Sequence, residues 1–250
     1  MKDSIAKKVY FSLGILIIFI LWVIGEAYIN NSYVIPSIGD TFKALLDLFT
    51  KAHTYKVLGY TLIRLISAIS ICFMLGLLLA ILSYNFGGFK WFIKPTITLL
   101  KTLPIAVVII LLLIILNKEL APFYVVGVVV LPVVYEAILM GLENINKDIL
   151  DEVKITTSIN PKVLYKVHLP LIFPSILTAI IQSVGLGLKV LVMGEYIAQP
   201  NYSIGNEFVF YKDIAVKMEY LYAWSIILIL FVLSVELLIS YVSKKKNLVE

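Results

Sequence analysis

The sequence predicts an all-α, polytopic membrane protein with six transmembrane helices. Of its 250 residues, 61% are hydrophobic and 15% are charged, whereas soluble domains carry about 25% charged residues. The mean hydropathy is +0.99. Six apolar segments reach the roughly 20 residues that a helix needs to cross a bilayer: residues 9–29, 58–84, 97–116, 121–140, 171–194 and 221–242. We therefore expect a single transmembrane domain over residues 1–250.

The first apolar segment allows two interpretations. It follows lysines and ends at Gly25, Glu26 and Ala27, a pattern that also fits a signal peptide with a cleavage site between small residues. The apolar run is long for a signal peptide, so we expect a retained helix. Cleavage would leave the orientation of the other five helices unchanged.

The next three segments contain the features that shape the middle of the chain. The second is the longest, and Arg64 near its start is expected to lie in the interface or to face protein. A short polar turn at residues 117–122 separates the third and fourth segments, which predicts a tight hairpin. Pro104 and Pro132 are expected to kink their helices.

Two sizeable loops follow the first and the fifth segments. In the first, residues 30–56, apolar side chains recur at helical spacing, which predicts an amphipathic helix on the membrane surface; they are Ile38, Phe42, Leu45, Leu46 and Phe49. The second, residues 195–220, is rich in tyrosine and contains a turn signal at residues 200–205.

The lysines predict the orientation in the membrane. With both termini in the cytoplasm, the cytoplasmic loops contain twice as many lysines as the outer loops. The positive-inside rule therefore places both termini, and the polar loop at residues 141–170, in the cytoplasm.

That loop contains a polar island at residues 151–170 between two apolar segments. Asp151 and Glu152 are favourable at the start of a helix. Asn160 followed by Pro161 is a second start signal, with Asn as the N-cap and Pro at the first helical position. The island therefore reads as helix, turn, helix, and its exposed turn is expected to meet a protein outside the bilayer.

The island resembles the cytoplasmic EAA loop of permease subunits in ATP-binding-cassette (ABC) importers. Glu152 stands at the Glu of the Glu-Ala-Ala motif, Ser158 where the family has Gly, and the VHLP stretch at residues 167–170 at the end of the motif. TLIRLIS at residues 61–67 resembles the opening of the permease core, and LKTLPIAVVIILLLIIL at residues 100–116 and GLGLKVLVMGEYIA at residues 185–198 resemble the sulfonate, taurine and nitrate subgroup. Val153, Lys154 and Ser158 depart from the motif.

The resemblance implies the type I ABC importer permease fold, in the cytoplasmic (inner) membrane of a bacterium. It implies a second permease copy, two ATP-binding-cassette ATPase subunits and an extracytoplasmic substrate-binding protein. ATP and magnesium are expected on the ATPase subunit, because this chain has no GxxxxGK[ST] phosphate loop and is not itself an enzyme. The loop at residues 148–170 is expected to couple the subunits through Asp151, Glu152, Thr156, Thr157, Ser158, Ile159, Asn160 and Pro161.

Ionisable residues inside spans are functional candidates, since burying them is costly. Arg64 and Lys189 fall in the outer thirds of their helices, and two copies facing a dimer axis would form an electropositive vestibule for an anionic cargo. The alternative is that they pair with Glu26 or Glu195 or contact lipid headgroups. The candidate path residues are Arg64, Pro104, Lys189 and Glu195.

Other classes of function receive less support. His53 and His168 lie on opposite sides of the membrane without further ligands at metal spacing, so no metal site is expected. No catalytic arrangement and no nucleic-acid patch stands out. A transporter or channel without an ATPase and a membrane scaffold remain alternatives.

The expected cargo is a small organic anion such as taurine or another sulfonate, or nitrate, with a thiamine-precursor-like heterocycle as the alternative. The sequence does not distinguish a homodimer from a heterodimer.

Overall fold

The computed structural model describes residues 2–146 and 167–246, and these residues contain helices and no strand. A single helical turn, Leu169–Leu171, precedes the fifth predicted span, and a π-helical turn, Phe210–Ile214, precedes the last. The longer helices are α1 (Lys2–Ile29), α2 (Ile38–Thr50), α3 (Ala52–Asn85), α4 (Gly87–Thr102), α5 (Ile105–Ile115), α6 (Ala121–Glu143), α7 (Phe173–Ala198), α8 (Ile204–Val209) and α9 (Met218–Lys246).

The predicted fold class is confirmed. Five helices of the described chain, α1, α3, α6, α7 and α9, are long and apolar enough to cross a membrane. The pair α4 and α5 makes a sixth span if the two bent halves are counted together. The polar residues at 117–120 separate α5 from α6, where the sequence predicts a hairpin turn.

The third span differs from the expected single segment at residues 97–116. Two helices cover it, and they meet at an angle of 100°. Leu103 adopts an extended conformation with φ −66° and ψ 130°, as expected before proline, and Pro104 has no N–H to continue the helical ladder. The break predicted at Pro104 is thus a full change of direction. Pro132 lies inside the continuous helix α6.

Helix α6 forms the centre of the bundle, between α3 and α7. Its side chains Val130, Val134, Ile138 and Leu142 recur every four residues and are fully buried. On the α3 side, a Cβ at Gly76 would lie 2.8 Å from Cγ1 of Val134, so only glycine permits this approach. Close van der Waals packing of this kind holds membrane helices together.

Helix α1 lies at the edge of the bundle. None of the 18 residues in its apolar window is buried. Its contact with the remainder is near its carboxyl end, where Trp22 Nε1 donates to the carbonyl of Pro36 at 3.0 Å. The Trp22 ring also lies 5.5 Å from that of Tyr222 on α9.

Helix α2 forms within the predicted surface loop, but its apolar stripe does not face the bundle. The buried positions are Thr41, Ala44 and Leu48, whereas Phe42 and Leu46 expose 59% and 53% of their surface. In a membrane protein an exposed apolar side chain has lipid as its solvent, so the hydrophobic face need not point to the core. Ser37 caps the helix by accepting from the N–H of Asp40 at 2.9 Å.

The bundle has two ends, each carrying a set of charged residues. At one end, called here the Arg64 end, the fourth turn of α3 meets the hairpin before α6 and the last turn of α7. At the other, called the Lys90 end, the last turn of α6 meets the start of α4, and Lys90 pairs with Glu143.

Candidate functional site

Arg64 is the centre of an ion network at the Arg64 end. Its Nη2 lies 2.8 Å from Oε2 of Glu119, and its Nη1 lies 3.2 Å from Oε1 of Glu195. The same guanidinium donates to the carbonyls of Asn201 at 3.2 Å and Tyr202 at 3.4 Å. One side chain thus joins α3 to the hairpin before α6, to α7 and to the loop after α7.

Glu195 is fully buried and supplied with donors on both oxygens. The hydroxyl of Thr61 lies 3.0 Å from Oε1 and 3.1 Å from Oε2. The N–H of Gly205 donates to Oε2 at 3.4 Å. Burying a carboxylate is costly unless it is paired and hydrogen-bonded, and these contacts with Arg64 meet that requirement.

The loop after α7 folds back because of its local backbone chemistry. Gln199, at the C-cap of α7, and Tyr202 adopt positive φ values of 51° and 47°. Ser203 then caps α8, since its hydroxyl accepts from the N–H of Asn206 at 3.2 Å. The resulting turn directs the peptide of Asn201 into the network, where its N–H donates to Oε1 of Glu119 at 2.8 Å.

Gly205 fits where no other residue would. A Cβ built on it would lie 2.2 Å from the backbone nitrogen of Tyr196 and 2.4 Å from the carbonyl carbon of Glu195. Both clashing atoms belong to the main chain, which has no freedom to move aside. The start of α8 therefore lies directly against the last turns of α7.

The two histidines of the chain have neighbours of their own. His53 Nε2 lies 2.8 Å from Oε1 of Glu207, and the ring of His168 lies 5.9 Å from that of Tyr84. Within residues 2–146 and 167–246, no group of three or more His, Cys, Asp or Glu side chains is arranged to hold a metal ion.

The candidate path residues do not form one cluster. The structure brings Arg64 and Glu195 together, which is the pairing given as the alternative to a vestibule. Pro104 lies at the bend between α4 and α5. Lys189 is exposed on α7, on a face that it shares with Thr178 and Gln182.

The proposed coupling residues 151–161 lie outside the described residues. The structure therefore places neither Glu152 nor Ser158, and the interpretation of that loop stays a prediction.

Two ion pairs at these sites were not predicted from the sequence. Glu119 was treated only as a turn residue, although a carboxylate at the end of an apolar hairpin is a candidate partner for a cation buried nearby. The pairing of Glu136 with Lys101 of α4, whose Nζ lies 2.7 Å from Oε2 of Glu136, was also not predicted. The bend at Pro104 makes this contact possible, and spacing along the chain does not reveal it.

The Lys101–Glu136 pair borders a polar cavity of about 460 Å³ between α6 and α7. Both side chains are about half exposed. The remaining polar lining consists of Asn144 after α6 and of Ser175, Thr178 and Gln182 on α7. A polar cavity between membrane helices is where a hydrophilic solute meets the least cost of desolvation.

These features define a class of protein: a multi-pass helical membrane protein with polar groups on helix faces inside the bundle. Residues 72–247 match the family of binding-protein-dependent transport system inner membrane components. The matched region covers most of the chain, and the chain belongs to this family. It is a permease component of an ABC transport system. A search of curated proteins found no match.

Family membership decides among the functions considered. Such a permease works with an ATPase and a binding protein and is a transport component rather than a catalyst. The interpretation as a component of an ATP-driven system is therefore preferred over a scaffold or a transporter without an ATPase.

Proposed function

We propose that this chain forms the translocation path of an ATP-driven importer for a small organic anion, as a dimer with two ATPase subunits. The loop at residues 148–170 couples the permease to the ATPase, which binds ATP and magnesium. The binding protein delivers the cargo at the Arg64 end. This arrangement follows the lysine distribution, which favours a cytoplasmic position for the Lys90 end and both termini.

One observation carries the proposal for the path. Helix α7 has an exposed stripe that includes Thr178, Gln182 and Lys189, at spacings of four and seven residues. These spacings put the three side chains on one helix face. A polar face on a membrane helix is unfavourable against lipid, so it belongs against protein or a water-filled path. Two copies of α7 would enclose such a path between them.

The charges of the described residues favour an anion as the cargo. Arg64 is 13% exposed and faces the carboxylates of Glu119 and Glu195, so the network has no excess positive charge. Lys189 has no carboxylate partner among the described residues. We therefore assign the cation of the path to Lys189 rather than to Arg64.

The tyrosines after α7 give less support to a heterocyclic cargo. Tyr211 and Tyr220 stack on each other with ring centroids 4.7 Å apart. Tyr202 stacks on Tyr60 at 5.5 Å. These rings support the loop, and each has one face covered by its stacking partner.

The bend at Pro104 suits a conformational gate. It separates the α4 half, which holds Lys101 against Glu136, from the apolar α5 half. Closure of the ATPase dimer on ATP draws the coupling loops together and favours one of two arrangements of the helices. A joint without a continuous helical ladder allows α4 to move with the loops while α5 stays packed on α6 and α7.

The test is affinity purification of the tagged full chain in a mild detergent, followed by mass spectrometry and an ATPase assay. A nucleotide-binding subunit is expected in a one-to-one ratio with the chain. Ser158→Arg is expected to remove this subunit, because a bulky charged side chain in the coupling turn prevents docking. Ser32→Arg, in a loop at the opposite end, is the matched control and retains it. Recovery of the chain without any ATPase would refute the proposal.

A further inference from the structure

Exposed aromatic rings and lysines alternate at the start of α4. Phe86, Trp91 and Phe92 expose 61%, 70% and 75% of their surface. Lys90 lies between Phe86 and Trp91 in the chain, and Lys94 follows Phe92. Trp rings are enriched at the level of lipid headgroups. Lysines there keep their methylene chains in the apolar layer and extend their ammonium groups to the polar one.

The bend after α4 sets this segment apart from the hydrocarbon core. Since α4 and α5 meet at 100°, they cannot both run along the membrane normal. Helix α5 has the sequence IAVVIILLLII, without a charged residue, whereas α4 contains Lys90, Lys94 and Lys101. The cost of burying charge therefore assigns α5 to the hydrocarbon and the start of α4 to the interface.

Among the described residues, one of the three lysines of α4 is not paired with a carboxylate. Lys90 pairs with Glu143, and Lys101 pairs with Glu136. Lys94 has no carboxylate within ion-pair distance among the described residues, and its Nζ lies 4.6 Å from the centroid of the Trp91 ring. The local excess of one positive charge is thus located on Lys94.

A cavity of about 270 Å³ opens beside this lysine. Lys90, Trp91 and Lys94 line its α4 side, and Tyr135, Glu136 and Leu139 line its α6 side. It is amphipathic: its polar part has two ammonium groups and the Glu136 carboxylate, which is paired with Lys101, and Leu139 is among its apolar walls.

We propose that this cavity binds the phosphate of an anionic membrane phospholipid. Lys94 provides the main countercharge and Lys90 a second donor, while the Trp91 ring positions the ammonium group of Lys94. The acyl chains lie along the exposed side chains of Phe92 and Leu99, which are seven residues apart on one side of α4. Basic pockets between membrane helices are suited to such headgroups.

The test is a lipid titration of the purified full chain, with native mass spectrometry to count bound lipids. Phosphatidylglycerol is expected to bind more tightly than phosphatidylcholine. Lys94→Gln is expected to weaken phosphatidylglycerol binding about fivefold, the effect of about 1 kcal/mol for one lysine near an anionic surface. Lys94→Arg keeps the charge and is expected to retain binding. Lys118→Gln, which removes an exposed lysine at the opposite end, is the matched control.

Two results would overturn the proposal. The first is equal binding of phosphatidylglycerol by the wild type and Lys94→Gln, when size-exclusion elution shows that both are folded. The second is displacement of the lipid by inorganic phosphate at matched concentration, which would assign the site to a free phosphate group. Retention of lipid in the presence of phosphate, together with loss of affinity in Trp91→Ala, supports the phospholipid.

Discussion

Nη1 of Arg64 lies 3.2 Å from Oε1 of Glu195, although 131 positions separate the two residues in the chain. The first lies in the fourth turn of α3 and the second in the last turn of α7. Because Glu195 is fully buried and Arg64 is 13% exposed on its side chain, the pair has little access to water. The network therefore fixes how α3, α7 and the following loop meet.

Removing either partner of this pair is expected to have unequal effects. Arg64→Gln leaves Glu195 buried without a countercharge, and we expect a loss of about 3–5 kcal/mol in the free energy of unfolding. Glu195→Gln is expected to cost less, because Arg64 keeps Glu119 and Thr61 still has an oxygen to donate to. The free energies are measured by SDS titration of the detergent-solubilised chain.

The double variant Arg64→Gln/Glu195→Gln should be more stable than Arg64→Gln alone, since the uncompensated charge is then absent. Lys43→Gln removes one partner of the exposed Asp40–Lys43 pair and is expected to leave stability unchanged. If Glu195→Gln is at least as damaging as Arg64→Gln, charge compensation is not what the network provides.

Gly205 gives a prediction about backbone contact. Gly205→Ala places a Cβ 2.2 Å from the backbone nitrogen of Tyr196, so α8 must separate from α7. We expect a fall in melting temperature and a broadened size-exclusion peak. Gly185→Ala, in the same helix pair but with nothing within 4 Å of its Cβ, is the control and is expected to behave as the wild type. Equal behaviour of the two variants would contradict the observed packing.

Asp47 on α2 links stability to acid pH. The hydrogen bond from Lys51, and after it the hydrogen bond from Tyr220 of α9, lower the pKa of Asp47 below its ordinary value of 3.8. A carboxylate with a lowered folded-state pKa stabilises the fold above the unfolded-state pKa, and this contribution is lost as pH falls through the folded-state pKa. The effect is small, because Asp47 lies at the surface.

The wild type should therefore lose more melting temperature than Asp47→Asn as the pH is lowered from neutral to below 3.8. Asp213 lies beside Lys212 in the same region and joins no two helices. Asp213→Asn is therefore expected to show the same pH dependence of the melting temperature as the wild type. Parallel pH profiles for the wild type and Asp47→Asn would show that the Asp47–Tyr220 contact at 2.6 Å adds no stability.

The fold class was predictable because hydropathy alone reports it. A run of about 20 apolar residues has few alternatives to a membrane helix. The 100° bend was not predictable, because proline at position 104 is compatible with a mild kink as well as with a complete break of the helix. The contact of Lys101 with Glu136 distinguishes the two, and it depends on the packing of α4 against α6.

The site was predictable only in part for a related reason. Arg64 and Glu195 are charged residues among apolar neighbours in two distant parts of the sequence, so both are candidates from the sequence alone. Their pairing is a long-range contact, and the sequence left it open beside a vestibule. Glu119 lies in a polar turn and Gly205 at the start of α8 beside one, where a charge or a glycine is ordinary, and only the folded chain distinguishes them.

Lys189 provides the transport prediction that follows from the exposed face of α7. Lys189→Gln is expected to reduce uptake of an anionic probe, nitrate or an alkanesulfonate, about tenfold, the range of a lost charge-assisted contact. Lys189→Arg should retain most of the uptake, and Lys189→Glu should abolish it, because a like charge repels the anion.

Uptake is measured in cells or proteoliposomes that contain the complete transporter, with Lys118→Gln as the control for loss of an exposed lysine. ATPase activity is measured in parallel, since a path residue changes uptake while the ATPase subunits stay bound. Unchanged uptake in Lys189→Gln, with an assembled transporter, would place Lys189 against lipid headgroups and move the path to another face of the bundle.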